Sequence, residues 1–228
     1  MRRRRVTLVL ALLVGGAMWL LTSHPDLSMP TPQPVTTQPA STKTAALSVL
    51  DTLPVKGRAP KTGYARTQFS SGWETTDGCD TRNRILQRDL TDTVMSNGCL
   101  VMSGVLHDPY TGKIIQFTRG AETSSAVQID HVVALGDAWV TGAQGLPADT
   151  RKSLANDPLE LLAVDGPANQ QKSDSDAASW LPPNKAFRCQ YVARQIAVKV
   201  KYHLYVTAPE KQTMQQVLGT CPNQSIPE

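Results

Sequence analysis

The hydrophobic and polar pattern divides the chain into three stretches. An uncharged apolar run from residue 6 to residue 21 follows four arginines, which is typical of a secretory signal or an uncleaved signal anchor. The next stretch is rich in Pro, Thr, Ser and Gln, a composition that cannot bury a core. We therefore expect a signal peptide or signal anchor at residues 1–21, a disordered tether at 22–62 and one folded domain at 63–228.

Within the domain the pattern predicts an α+β fold. Two alternating stretches on either side of the turn signal Asp-Pro-Tyr-Thr-Gly predict a β-hairpin. Two further apolar runs predict strands, and an apolar stripe at helical spacing predicts a long last helix that includes His203 as a core or boundary residue. The predicted strands are 100–107, 113–118, 128–133 and 159–164, and the predicted helices are 80–90, 134–141, 149–155, one that starts at Pro167, and 189–205.

Four side chains suited to phosphodiester hydrolysis follow one another in order. Asp130 and His131 are adjacent on an apolar strand, and Asn169 and Lys172 lie three apart on the helix after the next strand. His131 can act as a general base near neutral pH, and Asp130 and Asn169 offer the hard oxygen ligands that Mg²⁺ and Mn²⁺ prefer. Lys172 either neutralises phosphate or is an exposed helix residue. Because adjacent strand residues face opposite sides, His131 must lie at the strand end or on a bend to share this site.

The charge distribution gives no support to a general polyanion-binding surface. The four N-terminal arginines account for the whole formal net charge of +4, so the rest of the chain is neutral. One basic stretch between residues 185 and 209 contains no acids, and it is either the solvated face of a helix or a phosphate track. Its basic residues are Lys185, Arg188, Arg194, Lys199 and Lys201.

The four cysteines indicate disulfides in an exported chain. Three pairings are open, and we favour Cys79–Cys99 with Cys189–Cys221 because each pair brackets one short segment. A zinc site is the rival, but the sequence has no Cys-x-x-Cys spacing.

Several of these motifs carry a family resemblance. The chain resembles HNH nucleases, and in particular the domain at the C-terminus of Gmr-type modification-dependent restriction enzymes and of many secreted actinobacterial proteins. The resemblance covers about residues 64–221. Its motifs are CDTRNRIL at 79–86, DPYTG at 108–112, IDHVV at 129–133, NDPL at 156–159, NQQK at 169–172 and WLPP at 180–183.

The resemblance implies a ββα-metal core with an additional β-hairpin and flanking helices. It implies one divalent cation, Mg²⁺ before Mn²⁺, and cleavage of DNA, with RNA as an alternative. It makes His131 the general base and Asp130 and Asn169 the metal ligands. No base-reading contacts can be named, so a non-specific substrate is the default, as is a monomer. The N-terminal segment is expected to engage the membrane.

One departure from the family pattern concerns the second strand of the site. The family has an asparagine there that is expected to buttress the histidine loop, whereas this chain has Glu160. Asn156 and Arg119 are further candidates for a supporting role. The alternative to an active nuclease is a catalytically weak or inactive binding or envelope protein on the same scaffold.

Overall fold

Helices and three small antiparallel sheets make up the part of the chain described by the computed structural model, residues 45–227. The mixed α+β class predicted above is confirmed. The helices are α1 (Ala46–Thr52), α2 (Thr81–Asp89), α3 (Leu135–Val140), α4 (Ala148–Asn156), α5 (Gly166–Lys172), α6 (Arg188–Lys201) and α7 (Ala208–Gly219).

The sheets are a short ribbon, a three-stranded meander and a second ribbon that carries the predicted site. The predicted β-hairpin is present as the second and third strands of the meander, in antiparallel register. The strands are β1 (Thr75–Thr76), β2 (Cys79–Asp80), β3 (Leu90–Ser96), β4 (Leu100–His107), β5 (Ile114–Thr118), β6 (Val127–His131) and β7 (Leu161–Asp165).

The β6–β7 ribbon separates two hydrophobic clusters. Because successive strand residues face opposite sides, Ile129, Leu161 and Ala163 join one cluster with α2 and the meander, while Leu162 and Val164 join a larger cluster with the other helices. All five residues of β7 are buried. The ribbon that carries Asp130 and His131 is therefore held on both faces.

The folded region begins earlier than residue 63. Helix α1 has Ala46 and Leu50 fully buried in the larger cluster, and Val55 forms a β-bridge with Val206. Residues 46–52 therefore pack as a helix against α6 and α7 and are not part of a disordered tether. The expectations for residues 1–44, including the signal or anchor, lie outside the described residues.

Two other expectations need correction. The last predicted helix ends at Lys201, and His203 follows it in a left-handed turn with φ of 52°, exposed rather than on the apolar stripe. Strand β3 and helix α7 were not predicted, although the start of α7 has a capping box between Thr207 and Glu210.

Both favoured disulfides are confirmed. Cys79 on β2 pairs with Cys99 in the turn between β3 and β4, and Cys189 on α6 pairs with Cys221 after α7. No helix within residues 45–227 is long and apolar enough to cross a membrane.

Candidate active site around His131

The ribbon and the helix after it bring the predicted residues together. β6 pairs with β7 so that His131 lies opposite Leu161, and α5 begins directly after β7. Asp165 caps α5 by accepting a hydrogen bond from the Ala168 amide at 2.8 Å. A Cβ atom on Gly166 would clash with the Ser125 carbonyl oxygen, so only glycine lets the helix start this close to the segment that precedes β6.

His131 is the last residue of β6, as a shared site with Asp130 requires. Its Nε2 lies 2.9 Å from the Ala155 carbonyl oxygen, and its ring stacks on Trp73 with centroids 5.7 Å apart. Because a carbonyl only accepts hydrogen bonds, Nε2 carries the proton and Nδ1 keeps a lone pair. Burial, followed by the nearby Arg66 charge, lowers the pKa of His131 to about 3, so the imidazole is neutral.

Asp130 is also buried. Its Oδ2 accepts a hydrogen bond from the Tyr110 hydroxyl at 2.5 Å, and its Oδ1 accepts one from Lys172 Nζ at 2.9 Å. Burial raises the pKa of Asp130, against the opposing effects of Lys172 and Tyr110. The carboxylate is therefore held firmly, with one partner on each oxygen.

Lys172 does not have either of its predicted roles. Its side chain is fully buried, so it is neither an exposed helix residue nor a contact for phosphate. The ammonium group donates to Asp130 and, at 2.7 Å, to the His131 carbonyl oxygen. These two acceptors compensate the buried charge, and Lys172 ties α5 to the end of β6.

Asp130, His131 and Asn169 line one pocket of about 180 Å³. Asn169 Nδ2 donates to Gln128 Oε1 at 2.9 Å, and its amide oxygen accepts no hydrogen bond from residues 45–227. Asp174 also lines the pocket, paired with Lys61 at 2.6 Å. Among the described residues, no group of three or more His, Cys, Asp or Glu side chains could hold a metal ion. Asp130 and Asn169 are the oxygen donors of the pocket, and a hard cation held by so few protein ligands would keep several water ligands.

Glu160 supports the loop after His131. It is fully buried; its Oε2 accepts from the Val133 amide at 3.2 Å, and its main-chain oxygen accepts from the Val132 amide at 2.9 Å. Burial raises the pKa of Glu160 well above its ordinary value. A protonated carboxyl group resembles a side-chain amide, since both have one acceptor oxygen and a donor.

The family model described as the C-terminal domain of GmrSD restriction endonucleases matches residues 80–217. The chain belongs to this family. It is also 38% identical over 195 residues to an "Uncharacterized secreted protein" of Arthroderma benhamiae, covering 84% of this chain and 92% of that protein. No solved structure matches the chain.

In this GmrSD C-terminal domain, the two other supporting candidates do not line either pocket beside His131. Arg119 donates to the Val101 carbonyl oxygen at 2.7 Å and to Asn83 Oδ1 at 2.6 Å, so it ties β5 to α2 and lines neither pocket beside His131. Asn156 Oδ1 accepts from the Glu74 amide and from Thr81 Oγ1, at 3.0 and 2.9 Å. Asn156 thereby holds the segment that follows Trp73.

The basic stretch at residues 185–209 is only partly exposed: Lys185 and Lys201 face solvent, whereas Lys199 is buried. Four of its five cations are engaged by the protein itself. Lys199 is fully buried between Asp137 and Glu210, Arg194 donates to the Leu159 carbonyl oxygen, Arg188 donates to the Pro182 carbonyl oxygen, and Lys201 pairs with Asp157.

Two residues beside His131 were missed by the sequence analysis. Arg66 lies in a short 3₁₀ helix and Trp73 in the loop after it, where no periodicity marks them. Both line a second pocket of about 160 Å³ next to His131. The motifs that carry the resemblance begin after them, at Cys79, so the resemblance did not point to them either.

Proposed function

We propose that the protein is an exported, metal-dependent endonuclease of the HNH type that hydrolyses phosphodiester bonds in DNA, with RNA as an alternative substrate. The observation that carries the proposal is the orientation of His131. The Ala155 carbonyl fixes the protonated Nε2, which leaves the Nδ1 lone pair available beside the pocket shared with Asp130 and Asn169. The family match supports a nuclease, and the β6–β7–α5 order supports a ββα-metal core.

Each residue has a defined role in this proposal. His131 Nδ1 takes the proton from the attacking water, and the stacked Trp73 ring and the Ala155 carbonyl hold the imidazole in place. Asp130 and Asn169 would hold one Mg²⁺ or Mn²⁺ ion through a carboxylate and an amide oxygen. When bound, this ion supplies charge stabilisation at the scissile phosphate and the departing oxygen. Glu160 and Lys172 hold the histidine loop and Asp130 in position.

Export is part of the same proposal. The relative of Arthroderma benhamiae is named a secreted protein, and both disulfides suit an oxidising compartment. The basic and apolar N-terminus supplies a signal peptide or a membrane anchor.

A plasmid-nicking assay on the purified, oxidised protein tests the proposal. We expect supercoiled DNA to be nicked with Mg²⁺ or Mn²⁺ and to stay intact with EDTA. His131→Ala should abolish nicking, whereas His107→Ala, which removes an exposed histidine of β4, should leave it unchanged. Nicking that persists in a folded His131→Ala protein would show that His131 is not the base.

A binding protein without catalysis is the second candidate. It is favoured by Asp130, whose two oxygens already have partners in Tyr110 and Lys172. Binding of DNA that is identical with EDTA and with Mg²⁺, without any cutting, would support this second candidate.

A further inference from the structure

Arg66 is a cation without a structural role in the described protein. It is exposed, and its guanidinium forms no hydrogen bond or ion pair with residues 45–227. It lines both pockets beside His131, and among residues 45–227 no other Arg or Lys side chain lies in either wall. With Lys172 buried and Arg119 engaged elsewhere, Arg66 is the available positive charge at the site.

The segment that carries Arg66 is anchored on both sides. The rings of Tyr64 and Phe69 pack on Trp139 with centroids 6.1 and 6.2 Å away. Arg151 Nε donates to the Gln68 carbonyl oxygen at 2.8 Å. The backbone on either side of Arg66 is therefore fixed, and a group bound by Arg66 meets a preorganised site.

The second pocket offers a guanidinium and hydroxyl groups beside His131. Besides Arg66, its wall includes Thr67, Ser70, Ser71 and the indole of Trp73. A guanidinium presents five donors in a planar fork that matches two oxygens of a phosphate. His131 lies between this pocket and the one lined by Asp130 and Asn169, so a phosphate held by Arg66 would lie next to the general base.

We propose that residues 64–73 form a phosphate-binding subsite of the nuclease site, in which Arg66 binds a backbone phosphate of the nucleic acid beside His131. The segment precedes residues 80–217, so this part of the site lies outside the family-matched region. The proposal rests on the proposed function for its substrate, and it assigns to Arg66 the phosphate contact that was expected of Lys172.

The test measures binding of a fluorescent single-stranded oligonucleotide in EDTA across a salt series, together with plasmid nicking in Mg²⁺. Arg66→Gln should weaken both by about 10- to 100-fold, the range for a lost hydrogen bond to a charged group. It should also reduce the slope of log affinity against log salt by about one unit. Arg66→Lys should recover the salt slope and only part of the nicking rate, since lysine keeps the charge but loses the fork.

Arg84→Gln is the matched control. Arg84 lies on α2 with a 45% exposed side chain, pairs with the exposed Asp77 and lines neither pocket. If Arg66→Gln and Arg84→Gln have equal affinity and equal salt slope, the proposal is overturned. A loss of nicking without a change in salt slope also overturns it, because Arg66 would then act on His131 alone.

The two proposals can fail separately. If the wild-type protein binds the oligonucleotide but never cuts DNA, the nuclease proposal fails, and a reduced salt slope in Arg66→Gln still supports the subsite. If the folded wild-type protein does not bind the oligonucleotide, the subsite is overturned.

Discussion

Glu160 occupies the position at which the resemblance to HNH nucleases implies an asparagine. Its buried carboxyl group holds the amide of Val133, next to the histidine loop, and needs an acceptor oxygen rather than a charge to do so. Glu160→Gln should therefore keep the nicking rate within about threefold of wild type, whereas Glu160→Ala should lose at least about tenfold in kcat, the effect of one lost buried hydrogen bond. Nicking kinetics and thermal unfolding of both variants check this.

The kcat and KM of Glu160→Ala distinguish a positioning role from a binding role. A positioning role predicts that Glu160→Ala lowers kcat while KM stays near the wild-type value, because Glu160 lines neither pocket. Equal activity in the alanine and glutamine variants would show that the loop holds His131 without this side chain.

The buried ion pair between Lys172 and Asp130 can be tested by its effect on stability. Lys172→Met leaves Asp130 buried without its cation, and this should lower the free energy of unfolding by about 3–5 kcal/mol. Adding Asp130→Asn should recover most of the loss, and a double-mutant cycle by chemical denaturation measures the coupling. If Lys172→Met instead keeps wild-type stability but binds DNA more weakly, Lys172 contacts phosphate as first expected.

The sequence order predicted which residues meet at the site better than it predicted their surroundings. Asp130, His131 and Asn169 follow from strand, strand and helix motifs that are local in the chain, and they line one pocket. The burial of Lys172 depends on a carboxylate 42 residues away, and Arg66 reaches the site from an irregular segment. Neither relation leaves a periodic signal in the sequence.

At the scale of elements, α1 shows why composition misplaced the domain boundary. Within a Pro- and Thr-rich context, a seven-residue helix has its Leu50 fully buried in the larger cluster. Leu50→Ala should lower the free energy of unfolding by about 2–5 kcal/mol, as a cavity in a core does. Denaturant unfolding measures the loss, and Ser48→Ala, on the exposed side of the same helix, should change stability by less than about 0.5 kcal/mol.

The contrary outcome for α1 is equally specific. If residues 45–62 were an unpacked tether, Leu50→Ala and Ser48→Ala would both leave the unfolding curve unchanged.

The hairpin β4–β5 was predictable because its alternating residues and its turn are contiguous in the sequence. The contact of α1 with α7 was not, because these helices are far apart in the sequence.

For the whole molecule, a buried ionic cluster links the two ends of the fold and makes stability depend on pH. Lys199 Nζ lies 2.9 Å from Glu210 Oε1 and 3.3 Å from Asp137 Oδ2, and Arg58 reaches Asp137 at 3.6 Å and Asp176 at 2.8 Å. Burial raises the pKa of Glu210 from its ordinary value of 4.5 to about 7, although Lys199 opposes the shift.

The sign of the pH effect follows from this shift. The folded protein binds the Glu210 proton more tightly than the unfolded chain, so its stabilising contribution is complete below about pH 4.5 and is lost as the pH rises through about 7. Glu210→Gln removes this titration and keeps an acceptor for the Thr207 amide. From pH 4.5 to 8, wild type should therefore lose up to about 3 kcal/mol of unfolding free energy relative to the variant.

Comparing the two proteins at each pH isolates Glu210 from the other titrating groups. His131 acts in the opposite direction, because a pKa lowered to about 3 makes stability rise with pH up to about 6.5, but this contribution is the same in both proteins and cancels. Urea unfolding at intervals from pH 4.5 to 8 gives the difference directly. Parallel curves would mean that Glu210 is ionised throughout this range, and the cluster would then be a permanent ion pair that joins α6 to α7 without a pH-dependent step.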